Sequence, residues 1–286
     1  MRGIRLAQLG LVTNLALALT KLTAGILGNS YALIADAVES ITDLVSGVIV
    51  WRGVAVANRP QDERYPFGYG KAEAIAAAVV GLMLVTAAIG IAFEAVREIF
   101  LPHHAPAPFT LIVLVGVVAV KETLFRFVLK GAGEIGSSAV AADAWHHRSD
   151  ALTSVAAFVG ISVALIGGPG WESADDVAAL LASGLILYNG SKIIRPALYE
   201  LMDRSPDAAL LAAADQAARG VPGVRSIEKL FGRKHGPYYF LDLHVQADPS
   251  MSLHEAHILS GMVKSAIRQR LPAVKNVLVH MEPFEP

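Results

Sequence analysis

The chain has 286 residues, 54% of them hydrophobic, with a mean hydropathy of +0.49. That is too apolar for an ordinary soluble domain and reads as a membrane protein with a soluble part. A net charge of −1 excludes a strongly basic nucleic-acid binder, and the lack of cysteine excludes disulfides and thiolate metal sites.

About 20 apolar residues cross a bilayer core. Six segments meet that length, at 4–27, 31–57, 72–100, 107–130, 137–167 and 172–194. The first lacks an Ala-x-Ala cleavage site and reads as a spanning helix rather than a removed leader. Gly28-Asn29-Ser30, the stretch from Pro102 to Pro108, and Gly167-Gly168-Pro169-Gly170 separate the segments in pairs, and none of them holds Lys or Arg. The opposite ends carry Arg2, Arg5, Arg52, Arg59, Arg64, Lys71, Arg126, Lys130, Lys192 and Arg195. The positive-inside rule then puts both termini in the cytoplasm. Gly25, Gly28, Gly47, Gly81 and Gly90 are expected to let helices approach closely.

From residue 201 the character changes, so the division is a six-helix membrane domain at 1–200 and a cytosolic domain at 201–286. Helical patterns run over 206–219 and 252–270. Strand patterns run over 224–231, 238–246 and 274–281, with Tyr239, Leu241, Leu243 and Val245 on one face. The order α-β-β-α-β predicts a small two-layer, ferredoxin-like α+β domain.

Two apolar segments share an acidic pattern. Residues 35–43 read Ala-Asp-Ala-Val-Glu-Ser-Ile-Thr-Asp, and residues 142–150 read Ala-Asp-Ala-Trp-His-His-Arg-Ser-Asp. On helices, Glu39 and Asp43 fall one turn apart on one face, as do His146 and Asp150. If the two helices pack together, these four side chains converge on one divalent ion. The competing reading is a set of structural ion pairs, but no Lys or Arg on these faces serves all three carboxylates. Asp36 and Asp143, one turn outward, read either as an exit path for the ion or, preferably, as water-facing helix-end residues bonded to backbone. Lys121, Glu122 and Arg126 suggest an internal ion pair and an end anchor. His235, in the run Gly232-Arg233-Lys234-His235-Gly236, reads as a loop residue.

Four stretches together resemble the cation diffusion facilitators, proton-coupled exporters of divalent transition metals. They are Lys21-Leu22-x-Ala24-Gly25, Leu33-x-Ala35-Asp36-Ala37-x-Glu39-Ser40, Phe67-Gly68-Tyr69-Gly70-Lys71-Ala72-Glu73, and 141–150. The resemblance spans nearly the whole chain and implies a homodimer in the cell membrane with no prosthetic group. Its implied transport ligands fall on Glu39, Asp43, His146 and Asp150. It also implies a regulatory metal site in the cytosolic domain at Glu228, His244, His257, His280 and Glu282, and a charge interlock between Lys71 and Asp203. Glu39 stands where that family commonly has His or Asp. The resulting set of three carboxylates and one imidazole suits zinc, iron(II), manganese, cobalt or cadmium. The loop between the second and third helices often carries a further metal site in this family. Here it offers Asp62, Tyr65 and Tyr69, so that site is expected to be absent or very weak. A membrane-bound metal sensor or scaffold, binding metal without moving it, is the alternative.

Overall fold

The structure is a computed structural model. It describes the backbone of residues 2–100, 105–135, 138–168 and 170–285, and their side chains except at 2–9, 132–150 and 152. The chain divides into two compact units, residues 1–49 with 80–193, and residues 50–79 with 194–286.

Six long helices come first: α1 (Arg2–Leu27), α2 (Tyr31–Ala57), α3 (Lys71–Phe100), α4 (Phe109–Ile135), α5 (Ser138–Gly167) and α6 (Ala174–Leu201). Among the described residues, Gly10–Leu27, Lys71–Phe100 and Ala174–Leu201 are long and apolar enough to cross a membrane. α2 and α4 carry ionisable side chains within their length, Asp36, Glu39 and Asp43 on one and Lys121, Glu122 and Arg126 on the other. Alanine makes up half of the shared core: Ala24 of α1, Ala32 and Ala35 of α2, Ala88 and Ala95 of α3, Ala157 of α5 and Ala179 of α6. Small side chains let backbones approach, which is how helices gain packing contacts in lipid.

The expectation for the glycines holds at some positions and fails at others. A Cβ on Gly25 would lie 2.8 Å from Ile34, and one on Gly28 would lie 2.2 Å from Thr110. At Gly47 and Gly90, by contrast, a Cβ would meet nothing within 4 Å among the described residues. At Gly160 a Cβ would sit 2.3 Å from Ala178, a close approach of α5 and α6.

The start of α2 is held from another helix. Asp175 of α6 accepts hydrogen bonds from Ser30 Oγ (2.8 Å) and from the amides of Tyr31 (2.7 Å) and Ala32 (3.4 Å). A carboxylate at a helix N-terminus satisfies amides that lack an intrahelical partner. This accounts for the burial of Asp175 at 2% exposure.

The second unit holds α7 (Ala208–Arg219), β1 (Ser226–His235), β2 (Tyr238–Ala247), α8 (Leu253–Arg270) and β3 (Val274–Pro283). β1 pairs antiparallel with β2, and β3 lies parallel to β2, reached through α8. Leu241, Leu243, Val245 and Val277 of the sheet pack with Ala214 and Ala218 of α7 and Leu259, Val263 and Ile267 of α8. Both helices therefore cover one face, and the predicted α-β-β-α-β domain is present. α8 opens with a reciprocal cap between Ser252 and Glu255 and ends with Arg268 and Arg270, matching the helix dipole. β1 runs four residues beyond its predicted end, to His235, because 232–235 pair with 238–241 across a tight turn.

Candidate metal centre

Glu39 lines a cavity of about 240 Å³ in the helical unit. Asp36 of α2, Thr153 and Ala157 of α5, and Ala178 and Leu185 of α6 also line it. Asp43 lies one turn further along α2. His146 and Asp150 belong to α5, but their side chains lie outside the described residues, as does that of Asp143. Of the predicted ligands, Glu39 thus lies on the wall of a cavity that α5 also lines.

Asp36 overturns the reading of a water-facing helix end. It is 4% exposed, and its carboxylate lies 2.8 Å from the ammonium of Lys21, itself fully buried on α1. Ser154 Oγ donates to the other carboxylate oxygen at 2.7 Å. A buried carboxylate needs a cation and hydrogen-bond donors, and here two other helices supply them. The sequence signal for this pairing is a lysine in the middle of a largely apolar helix. On α4 Glu122 pairs with Arg126, 2.7 Å apart, and the adjacent Lys121 is buried at 1% exposure.

A second cavity, of about 230 Å³, opens where α2 begins, α3 ends and α6 begins. Asn29, Tyr31, Glu98, Glu172, Asp175 and Asp176 are among its lining residues. Tyr31 OH lies 3.5 Å from Glu98.

In the cytosolic-type domain the sheet's other face carries a compact group. His244 and His280 are register partners across β2 and β3, with ring centroids 5.0 Å apart. Glu282, two residues beyond His280 and so on the same face, lies 2.7 Å from His244 Nδ1 and 3.5 Å from His280 Nε2. Ligand atoms from these three residues lie within 4.8 Å of one another. Glu228 joins them through a bulge in β1 between Ile227 and Lys229, which leaves Glu228 without a strand partner. A hydrogen bond with Glu228, and then the one with His244, hold the Glu282 carboxyl below its ordinary range. Two imidazoles and one carboxylate within reach of one point, with Glu228 bonded to that carboxylate, suit a zinc-like or harder divalent ion. His257 is not brought to this group. It is exposed on α8, which covers the opposite face of the sheet.

In the loop between α2 and α3, Asp62 is engaged by the loop's own donors. Asp62 accepts from Tyr69 OH at 2.6 Å and from the amides of Arg64 and Tyr65. These bonds, Tyr69 foremost, lower the Asp62 pKa. The predicted pair of Lys71 and Asp203 is formed at 2.7 Å, with both side chains partly exposed. Asp203 has φ 54, a left-handed conformation that ends α6 and turns its carboxylate to Lys71. His235 is not a simple loop residue. The Gly70 amide donates to its Nε2 at 3.1 Å, and a Cβ on Gly70 would lie 2.4 Å from the His235 ring. Burial chiefly lowers the His235 pKa, with Lys71 adding to the shift.

A helical unit with a buried acidic group beside a cavity, followed by a small α+β domain bearing a His/Glu cluster, fits a membrane transporter of metal ions. The cation efflux transmembrane domain model matches residues 7–202, and the cation efflux protein cytoplasmic domain model matches residues 206–284. The chain belongs to the cation efflux family, the cation diffusion facilitators. It is similar to the manganese efflux system protein MneP of Bacillus subtilis, 31% identical over 98% of this chain and 96% of the relative. It is also similar to the magnetosome protein MamB of Magnetospirillum gryphiswaldense, 33% identical over 94% of this chain and 90% of the relative. A solved MamM-CTD structure matches 27% of this chain and 96% of its own, at 26% identity and a TM-score of 0.26.

Proposed function

We propose that the protein exports a divalent transition metal from the cytoplasm in exchange for protons, as a homodimer in the cell membrane with both termini inside. The observation that carries this reading is Glu39 on the wall of a cavity between α2, α5 and α6, in a chain of the cation efflux family. Glu39 and Asp43 from α2, with His146 and Asp150 from α5, are the ligands in this reading. Each ligand binds metal only when deprotonated, so metal and protons compete for the same lone pairs. Inward-facing, near neutral pH, the set takes up metal. Outward-facing, at lower pH, protons displace it. Alternating access moves groups of helices about this site. The lack of cysteine and the three carboxylates favour manganese, iron(II), zinc, cobalt or cadmium over copper(I). The name of the MneP relative places manganese first among the metals to try. His244, His280, Glu282 and Glu228 form a regulatory site, and the pair of Lys71 and Asp203 within each chain acts as a charge interlock at the dimer hinge. No role is assigned to His257 within one protomer.

The test is metal uptake into proteoliposomes under a proton gradient, comparing the unsubstituted protein with Asp150→Ala across manganese, zinc, iron(II) and cobalt. Proton-dependent flux of one metal, lost in the variant, is the expected result. No flux of any metal, with metal still bound at His244 and His280, would favour a membrane-bound metal sensor.

A further inference from the structure

We infer that Lys21 is a positioning residue for the transport site, clamping the turn of α2 that carries Glu39. The inference rests on the transport reading above and extends it to a residue outside the ligand set. Lys21 is 0% exposed and reaches from α1 to a single turn of α2. Its ammonium pairs with Asp36 Oδ1 at 2.8 Å, donates to the Asp36 carbonyl at 3.0 Å and donates to Ser40 Oγ at 2.6 Å. Glu39 lies between those two residues in sequence. The clamp continues into α5, where fully buried Ser154 donates to Asp36 Oδ2 at 2.7 Å. Thr153, the neighbour of Ser154, lines the same cavity as Asp36 and Glu39. Three helices are thus fastened at one point beside the site.

The approach that permits this is built one turn along α1. Gly25, four residues after Lys21, faces Ile34 so closely that a Cβ would lie 2.8 Å from it. A buried ion pair contributes little to stability compared with apolar side chains of the same volume. What it supplies is directional: an ammonium with fixed acceptors holds one rotation and one height of α2 against α1, whereas an apolar contact tolerates sliding. Metal ligands need such placement, because an error of a fraction of an ångström spoils the coordination geometry.

The experiment uses the full chain with His244→Ala and His280→Ala as background, so that cobalt(II) reports on the membrane site. The readouts are the visible absorption of bound cobalt and the KM and kcat of cobalt flux in proteoliposomes. Replacing the pair with apolar side chains, Lys21→Met with Asp36→Leu, is expected to leave protein yield intact. It should weaken cobalt affinity by about 10-fold or more and alter the intensity of its absorption. Ser154→Ala, which leaves the ion pair in place, should move the same readouts in the same direction by less. It also decides the matter if the double variant does not fold. Unchanged cobalt absorption and KM in the folded variants would overturn the clamp. A background protein with no cobalt absorption would instead overturn the transport-site reading itself, since His244→Ala and His280→Ala leave the four membrane ligands in place.

Discussion

Asp36 and Glu39 stand three positions apart on one helix and do different work. Asp36 is bound to Lys21 and Ser154 and is committed to structure. Glu39 faces a cavity. Glu39→Gln keeps the shape and removes a negative ligand, so flux should fall by at least about 10-fold with little change in expression. Flux at the unsubstituted level would remove Glu39 from the ligand set. The sheet cluster permits a second residue-scale prediction. A metal bound only to the folded state stabilises it by about 2.7 kcal/mol at 100 times its Kd. In a Glu39→Ala, Asp43→Ala background, zinc should therefore raise the melting temperature, and His280→Ala should abolish that rise. A rise that survives His280→Ala would place the metal elsewhere.

At the scale of elements, β1 does two jobs that its sequence did not announce. Its bulge turns Glu228 toward Glu282, and its far end carries His235 to the Gly70 amide. Nε2 accepts that bond, so the imidazole must be neutral with its proton on Nδ1. Lys71, Glu200 and Asp203 are the charged groups around it. The folded-state pKa of His235 lies below that of the unfolded chain, so protonation favours opening. The stabilisation is complete above about pH 6.5 and is lost as pH falls through the folded-state value. Hydrogen exchange at Gly70, corrected for intrinsic rate, should therefore be faster at acidic pH than at neutral pH. His235→Phe should flatten that dependence, and exchange equally slow at both pH values would show that the bond does not depend on the proton. In the same domain Leu243, 1% exposed, fills the core between the sheet and both helices. Leu243→Ala should cost about 2–5 kcal/mol in denaturant unfolding.

On the scale of the whole molecule, the membrane and cytosolic-type halves match consecutive family models across nearly all of the chain. Lys71 and Asp203 join the start of α3 to the end of α6 through a partly exposed pair. Such pairs contribute about 0.2–1 kcal/mol, so Lys71→Ala should barely change thermal stability. If the pair acts as an interlock, flux falls well beyond what that small loss explains. Flux equal to the unsubstituted protein would reduce it to an ordinary surface contact.

Periodicity carried much of this architecture. Runs of about 20 apolar residues read as spanning candidates, and Tyr239 to Val245 alternate as a half-buried strand does. Spacing also carried the acidic motifs, since i and i+4 share a helix face whatever the fold. Partners distant in sequence were not legible. No local pattern says that Lys21 meets Asp36 and Ser154, that Asp175 caps α2, or that His235 lies against Gly70. Nor did the sequence place His257 on the layer opposite His244. Residue type and period act within one element, and they determined the class, the spans and the motifs. Which buried charge finds which partner depends on how helices cross and strands register, and that was decided only when the elements packed.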